Sequence, residues 1–108
     1  PDTVRAADIV FVSYKRLPAP TGKALAVAPE LIVEITSPGD RWREMRSKLE
    51  EYFTIGVEQV WIVEPEKKSV LIFRSSTDLS KFSAPTVLKG EGFLKGFELP
   101  LSELFNEE

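Results

Sequence analysis

Residues 30–63 read ELIVEITSPGDRWREMRSKLEEYFTIGVEQVWIV, and this stretch decides the fold of the chain. It opens with a short, mostly apolar segment at residues 30–36 that predicts a strand, and the Pro-Gly pair at 38–39 ends it. Between residues 40 and 54, apolar side chains recur at spacings of three and four, which is typical of a helix with one buried face. Residues 58–63 predict another strand. The order strand, helix, strand favours a βαβ crossover within a mixed sheet.

Both ends of this helix carry recognisable signals. Asp40 can cap the first turn through its carboxylate, and Gly56 is a plausible stop signal. The apolar stripe between them consists of Trp42, Met45, Leu49, Tyr52 and Phe53.

The flanking segments complete an α/β domain over residues 1–108. Residues 7–14 predict a first strand, rich in β-branched and aromatic side chains, and a Pro-rich loop at residues 17–24 follows it. The remaining predictions are a strand at 69–74 that forms a hairpin with 58–63, a loop at 75–83, short strands at 85–88 and 93–94, and a helical turn at 100–105.

The composition excludes several classes of function. The 108 residues include no Cys and no His, which removes thiolate nucleophiles, zinc clusters and Ser-His-Asp triads. Any catalysis must rest on carboxylates, Lys, Tyr or Ser. The net charge of −3 argues against a general affinity for nucleic acid, so a DNA site would have to be local.

The sequence also bears on localisation. The absence of Cys fits a reducing cytoplasm, and we expect a cytoplasmic protein. No apolar stretch approaches the roughly 20 residues of a membrane-spanning helix, and no signal peptide is recognisable, so we expect no membrane partner.

Two acidic residues occupy strand-like segments, where an unpaired buried charge would be costly. Asp8 opens the first strand, and Glu34 interrupts the apolar LIVEI run. If both carboxylates meet at one end of adjacent strands, they can hold a hard divalent cation. The alternative is that either acid faces water at a strand end or pairs with a surface Lys.

Lys48 is the candidate cation. Projection at about 100° per residue puts it roughly 90° from the centre of the apolar stripe, from where its ammonium can reach back toward the carboxylates. The alternative is an ordinary surface pair with Glu44 or Glu51, at spacings of four and three. The cations at positions 41, 43, 46 and 48 could contact phosphates, although solvated helix charge is the commoner meaning of such a run.

Read in order, these segments resemble the Uma-two type family of restriction endonucleases, within the PD-(D/E)XK nuclease superfamily. The resemblance spans nearly the whole chain. It is carried by RAADIVFV at residues 5–12, PELIVEITSPGD at 29–40, KLEEYFTIGVEQVWIVEPE at 48–66 and LKGFELPLSELF at 94–105.

The resemblance implies a restriction-endonuclease-like mixed sheet with a central crossover helix, and it assigns roles at the site. Asp8 and Glu34 would hold Mg²⁺, or Mn²⁺ as an alternative, together with the main-chain carbonyl of Ile35. Lys48 would be the catalytic lysine, because Thr36 stands where the superfamily usually has it. The reaction would be hydrolysis of DNA phosphodiester bonds.

The chain departs from the family pattern in ways that leave a second reading open. Ala7 replaces the usual proline before Asp8, and the amino-terminal helix and first strands of the full family domain are missing. The resemblance therefore implies that residues 1–108 form the carboxy-terminal part of a longer family domain. The rival interpretation is an inactive binding or assembly module, including a homodimer joined through an exposed sheet edge.

The remaining aromatic and acidic residues are assigned to structural roles. Core packing is the expected role of Trp42, Trp61, Tyr52 and Phe53 rather than base stacking, so they are left out of the site. Glu64, at the end of the third strand, is a lesser candidate for lining the metal site, and the favoured interpretation is a side chain solvated at the strand end.

Overall fold

The computed structural model describes residues 7–13, 16, 28–37, 39 and 41–105 of the chain. Short 3₁₀ turns at Pro65–Lys67 and Gly92–Leu94 join some of its elements. In chain order the strands and helices are β1 (Ile9–Phe11), β2 (Leu31–Ile35), α1 (Trp42–Thr54), β3 (Gln59–Glu64), β4 (Ser69–Phe73), β5 (Leu79–Ser83), β6 (Val87–Lys89), β7 (Glu98–Pro100) and α2 (Leu101–Leu104).

The first five strands form one mixed sheet in the order β1-β2-β3-β4-β5. β2 and β3 are parallel and α1 connects them, whereas every other neighbouring pair in this sheet is antiparallel. The predicted βαβ crossover and the β3–β4 hairpin are therefore confirmed. The fold is the predicted mixed α/β sheet with a crossover helix.

Helix α1 ends as its sequence predicts. The amide of Gly56 donates to Phe53 O and that of Val57 donates to Tyr52 O, which is the Schellman arrangement. It requires a left-handed residue at Gly56, whose φ is +108°. At the other end Arg41 is the N-cap residue and makes no side-chain capping bond, while the predicted cap Asp40 lies outside the described residues.

Alternation along the strands divides the core between the two faces of the sheet. Side chains of α1 pack on one face against Ile32, Val60, Ile62, Leu71 and Phe73. The second sheet, β6–β7, and the short helix α2 cover the other face. There Leu88 and Leu101 pack against a layer that includes Trp61, Val63 and Ile72. The central strands β2, β3 and β4 are thus largely buried between these two layers, whereas the edge strands β1 and β5 are partly exposed.

Two predicted elements need correction, and two others lie wholly or partly outside the described residues. Part of the predicted loop at 75–83 is strand β5, which pairs with β4. The predicted strand at 93–94 belongs to a 3₁₀ turn, and the strand of this region is β7. Residue 14 of the first predicted strand and the loop at 17–24 lie outside the described residues.

Among the described elements, no helix is both long and apolar enough to cross a membrane.

Candidate active site

Glu34 occupies the fourth position of β2, on the face of the sheet that α1 covers. Its side chain is almost fully buried, with 4% of the residue exposed. Both carboxylate oxygens have partners on α1: Tyr52 Oη donates a 2.7 Å hydrogen bond to Oε2, and Lys48 Nζ lies 3.3 Å from Oε1. A charged hydrogen bond and an ion pair together compensate the loss of hydration that burial imposes on the carboxylate.

The helix geometry explains why these two donors meet on one carboxylate. Lys48 and Tyr52 are four residues apart, so they project from the same side of α1, one turn apart. Tyr52 is fully buried, whereas the side chain of Lys48 is 26% exposed. Lys48 therefore sits at the boundary of the buried face, as the helical projection predicts, and directs its ammonium to Glu34.

Asp8 approaches the same place from the antiparallel neighbour of β2. The register pairs Ile9 with Val33, so the preceding residue, Asp8, comes opposite Glu34 on the same face. Asp8 is exposed, and its Oδ2 accepts a 2.7 Å hydrogen bond from the amide of Ile35. This bond fixes one carboxylate oxygen at the carboxyl end of β2.

These groups line one open pocket of about 260 Å³. The structure thus brings together every residue that the sequence proposes for the site, while their roles stay predictions. Among the described residues, no group of three or more Asp, Glu, His or Cys side chains is placed to hold a metal ion. The pocket is lined by Asp8, Glu34, Ile35, Ser37, Arg41, Glu44, Met45 and Lys48.

The environment of Glu64 differs from the solvated strand end that the sequence predicts. Only 7% of the residue is exposed. Ser69 Oγ donates a 2.8 Å hydrogen bond to its Oε1, and Lys67 Nζ lies 3.7 Å from Oε2. Glu64 lines a second pocket, which shares Ser37 and Arg41 with the pocket at Glu34. The two pockets therefore adjoin each other at the carboxyl ends of β2 and β3.

Of the aromatic residues of α1, Tyr52 has its predicted core role and one further contact, whereas Trp42 lacks the predicted role. Tyr52 is a core residue, as predicted, but its hydroxyl also contacts the candidate metal ligand Glu34. The sequence feature that indicates this contact is the spacing of four residues between Lys48 and Tyr52. Trp42 is not in the core, since 45% of the residue is exposed.

A further polar cluster, absent from the sequence-based expectations, holds the chain next to β2. Arg16 Nη1 donates to the main-chain oxygens of Ala28, Pro29 and Gly56, at 3.1, 3.3 and 3.0 Å. Its Nη2 lies 2.6 Å from a carboxylate oxygen of Glu58. The Arg16 guanidinium therefore links the residues that precede β2 to the loop that follows α1.

Glu30, also beside Arg16, is a buried carboxylate whose ionised form is favoured. Burial alone would raise the pKa of Glu30, but hydrogen bonds from the hydroxyl and amide of Ser13, together with the charge of Arg16, outweigh it. The pKa of Glu30 consequently lies below its ordinary value.

On the opposite side of the sheet, a similar effect stabilises an exposed pair. The hydrogen bond from Arg74 Nε to Glu91, 2.8 Å long, lowers the pKa of the Glu91 carboxyl and raises that of Arg74. This pair joins β4 to the segment before the second 3₁₀ turn and lies outside the candidate site.

Comparison with known families places the chain as a whole in a family. The model of the family described as "Uma2: Putative restriction endonuclease" matches residues 1–102. The chain belongs to the Uma2 family. The resemblance seen in the sequence is therefore confirmed over nearly the whole chain.

A solved structure extends the comparison of this Uma2 chain to three dimensions. The crystal structure of a "putative nuclease belonging to DUF820" from Anabaena variabilis is similar to it, with a TM-score of 0.78 and 21% sequence identity. The match covers 94% of this chain and 59% of the other, so the Uma2 chain spans about three-fifths of that protein's length. At this identity the similarity concerns the fold alone. Among curated proteins, none matches the chain.

Proposed function

We propose that this chain is a Mg²⁺-dependent endonuclease that hydrolyses DNA phosphodiester bonds. The observation that carries the proposal is the convergence of Lys48 and Asp8 on Glu34, in one open pocket at the carboxyl ends of the strands. In this nuclease-family fold, the cation comes from α1 and the two carboxylates come from β2 and from the residue that precedes β1.

The chemistry of the donors fits a magnesium ion. Mg²⁺ in proteins is usually held by one or two carboxylates and keeps several water molecules. Asp8, Glu34 and the main-chain carbonyl of Ile35 supply oxygen donors of this kind at the pocket. When bound, Mg²⁺ or Mn²⁺ would supply Lewis-acid activation of water for in-line attack on phosphorus.

The other residues have roles that follow from their positions. The Lys48 ammonium is fixed by Glu34 beside the pocket, where it would neutralise charge that develops on the phosphate oxygens in the transition state. Tyr52 orients the Glu34 carboxylate by its hydrogen bond and is a positioning residue. Arg41 is exposed at the rim of the pocket, where it can contact a phosphate of the substrate.

Plasmid cleavage with purified protein in Mg²⁺ or Mn²⁺ tests the proposal. The wild type should nick or linearise the plasmid, whereas Glu34→Gln and Lys48→Met should each lower the rate by at least about 100-fold, the scale of losing one transition-state contact. Glu103→Gln and Lys89→Met are the matched controls, because both residues are exposed on elements that cover the opposite face of the sheet. Equal cleavage by all five proteins would exclude this site, and a wild type without metal-dependent cleavage would exclude the function.

A second candidate, an assembly module, is favoured by one specific observation. Strand β1 forms an edge of the described sheet, and its residues Ile9, Val10 and Phe11 are 53%, 47% and 42% exposed. Such an apolar edge can pair with a second copy of the chain. Sedimentation would then show a dimer that Val10→Lys dissociates. A wild type that is monomeric at every concentration tested would reject this candidate.

A further inference from the structure

A pocket that shares Trp42 with the pocket at Glu64 has the character of a site for a flat apolar group. It has a volume of about 460 Å³ and lies between α1 and the strands β4 and β5. Its lining includes the apolar core residues Leu49, Leu71 and Phe73. Trp42 and Leu79 also line it, and 45% and 46% of these residues are exposed. Two large apolar side chains are thus in contact with solvent around an apolar interior.

Polar groups surround this apolar interior. Arg46 and Glu50 of α1 line the pocket, as do the hydroxyl residues Ser76 and Thr77 of the β4–β5 connection. An apolar cavity with a few convergent polar groups is the usual form of a site for a small organic ring system. The aromatic member of the lining, Trp42, offers the face or edge of an indole, on which such a ring can stack.

Charge favours a nucleic-acid strand as the source of that ring. Between residues 41 and 46, the N-cap and first turn of α1 carry three cations, Arg41, Arg43 and Arg46, against one acid, Glu44, and all four residues are exposed. Trp42 and Arg41 also line the pocket at Glu64, which adjoins the pocket at Glu34. A phosphodiester backbone that crosses Arg41 near the candidate metal ligands would therefore bring its neighbouring bases close to Trp42.

We infer that Trp42 binds an unpaired nucleobase of the DNA substrate by stacking, with the base entering the pocket between α1 and the β4–β5 connection. The inference rests on the proposed function, since it presumes a DNA substrate. A base within a duplex has both faces covered by its neighbours, so only an unpaired or displaced base can present a face to an indole. The site should consequently prefer single-stranded or locally opened DNA to intact duplex.

Binding of a thymidylate oligonucleotide in EDTA tests the inference without requiring cleavage. The chain has two tryptophans, and Trp61 is buried on the opposite face of the sheet. The oligonucleotide should quench the fluorescence of the wild type but not that of Trp42→Phe, in which Trp61 is the remaining tryptophan. Trp42→Ala should weaken oligonucleotide binding by roughly 5- to 150-fold, the range for loss of one base–aromatic stack. The oligonucleotide affinity of Trp42→Phe should lie between those of the wild type and Trp42→Ala.

The matched control is Phe97→Ala, an aromatic residue of similar exposure, 42%, that contacts Trp61 on the opposite side of the molecule. This variant should bind the oligonucleotide as the wild type does. An unchanged affinity of Trp42→Ala, or equal losses for oligonucleotide and blunt duplex, would overturn the inference. Oligonucleotide binding that depends on Trp42 in a protein without nuclease activity would support the base site and reject the proposed function. DNA cleavage by a protein whose oligonucleotide affinity is unchanged in Trp42→Ala would support the proposed function and reject the base site.

Discussion

Tyr52 and Glu34 meet at the interface between α1 and the sheet, where the tyrosine hydroxyl donates a 2.7 Å hydrogen bond to the carboxylate. Tyr52 is fully buried and Glu34 is 4% exposed. A carboxylate in such a position is tolerated only when protein donors replace water. The packing of α1 against the sheet therefore supplies the donors that the Glu34 carboxylate needs, and the carboxylate in turn helps to hold α1 on the sheet.

The strength of this contact can be measured by a double-mutant cycle. Removing the hydroxyl in Tyr52→Phe should lower the free energy of unfolding by about 1.5–3 kcal/mol, the range for a hydrogen bond to a charged group. In a Glu34→Gln background the same substitution should cost less, because a neutral amide accepts a weaker bond. Urea unfolding of the four proteins provides the coupling energy. The same loss in both backgrounds would show that the hydroxyl does not act through the Glu34 charge.

Divalent-metal affinity should depend on the two carboxylates that share the pocket. Calorimetry with Mg²⁺ and Mn²⁺ should show at least about tenfold weaker binding for Asp8→Asn and for Glu34→Gln, because each removes a charged oxygen ligand. Asp8→Asn keeps a carbonyl oxygen that can still accept from the Ile35 amide, so the strand end should remain in place.

Glu64→Gln is the informative control for this measurement. Glu64 is also a buried carboxylate near the strand ends, but it lines the neighbouring pocket and not the pocket that contains Asp8 and Glu34. We expect its substitution to leave metal affinity unchanged. A loss as large as that of Glu34→Gln would move the metal site toward the neighbouring pocket.

Much of the fold was predictable because its central elements carry strong periodic signals. The stripe of α1 and the apolar segments on either side of it specify a crossover, and its C-terminal glycine, Gly56, ends the helix where the sequence predicts. Strand β5 was not predictable in this way. Its sequence, LSKFS, is polar enough to read as a loop, and its pairing with β4, from Phe73 with Leu79 to Ser69 with Ser83, makes it a strand.

The candidate site was predictable in its members but not in their contacts. Helical projection places Lys48 at the edge of the buried face, yet it could not distinguish an ion pair with Glu34 from one with a neighbour on the helix. The sequence predicts a core role for Tyr52, because an aromatic residue in a helical stripe is usually core, and in the structure Tyr52 is both a core residue and a hydrogen-bond donor. Helical periodicity does not depend on where along its length a helix leaves the sheet, so it does not predict that Trp42, the first residue of α1, is exposed. The roles of Mg²⁺ and DNA stay predictions.

The Arg16 cluster provides a stability prediction that is independent of the site. Arg16→Met leaves three main-chain oxygens and two carboxylates without this guanidinium, and we expect a loss of about 1.5–3 kcal/mol in the free energy of unfolding. Arg16→Lys should recover less than half of the loss, because an ammonium cannot reproduce the planar fork. Arg46→Met, on the exposed side of α1, should stay within about 0.5 kcal/mol of the wild type. A full rescue by lysine would show that charge alone matters at this position.

The lowered pKa of Glu30 predicts a specific loss of stability in acid. A carboxyl whose folded-state pKa is depressed stabilises the fold fully above its unfolded value, here near the ordinary 4.5, and this contribution disappears as the pH falls through the folded-state pKa. Urea unfolding between pH 7 and pH 3 should therefore show that the wild type exceeds Glu30→Gln in stability at pH 7 and that the difference narrows below about pH 4.5. Ser13→Ala, which removes one of the donors that favour the carboxylate, should reduce the effect, whereas Glu103→Gln in α2 should follow the wild type throughout. A gap between wild type and Glu30→Gln that is constant down to pH 3 would mean that the hydrogen bonds from Ser13 do not favour the ionised form of Glu30.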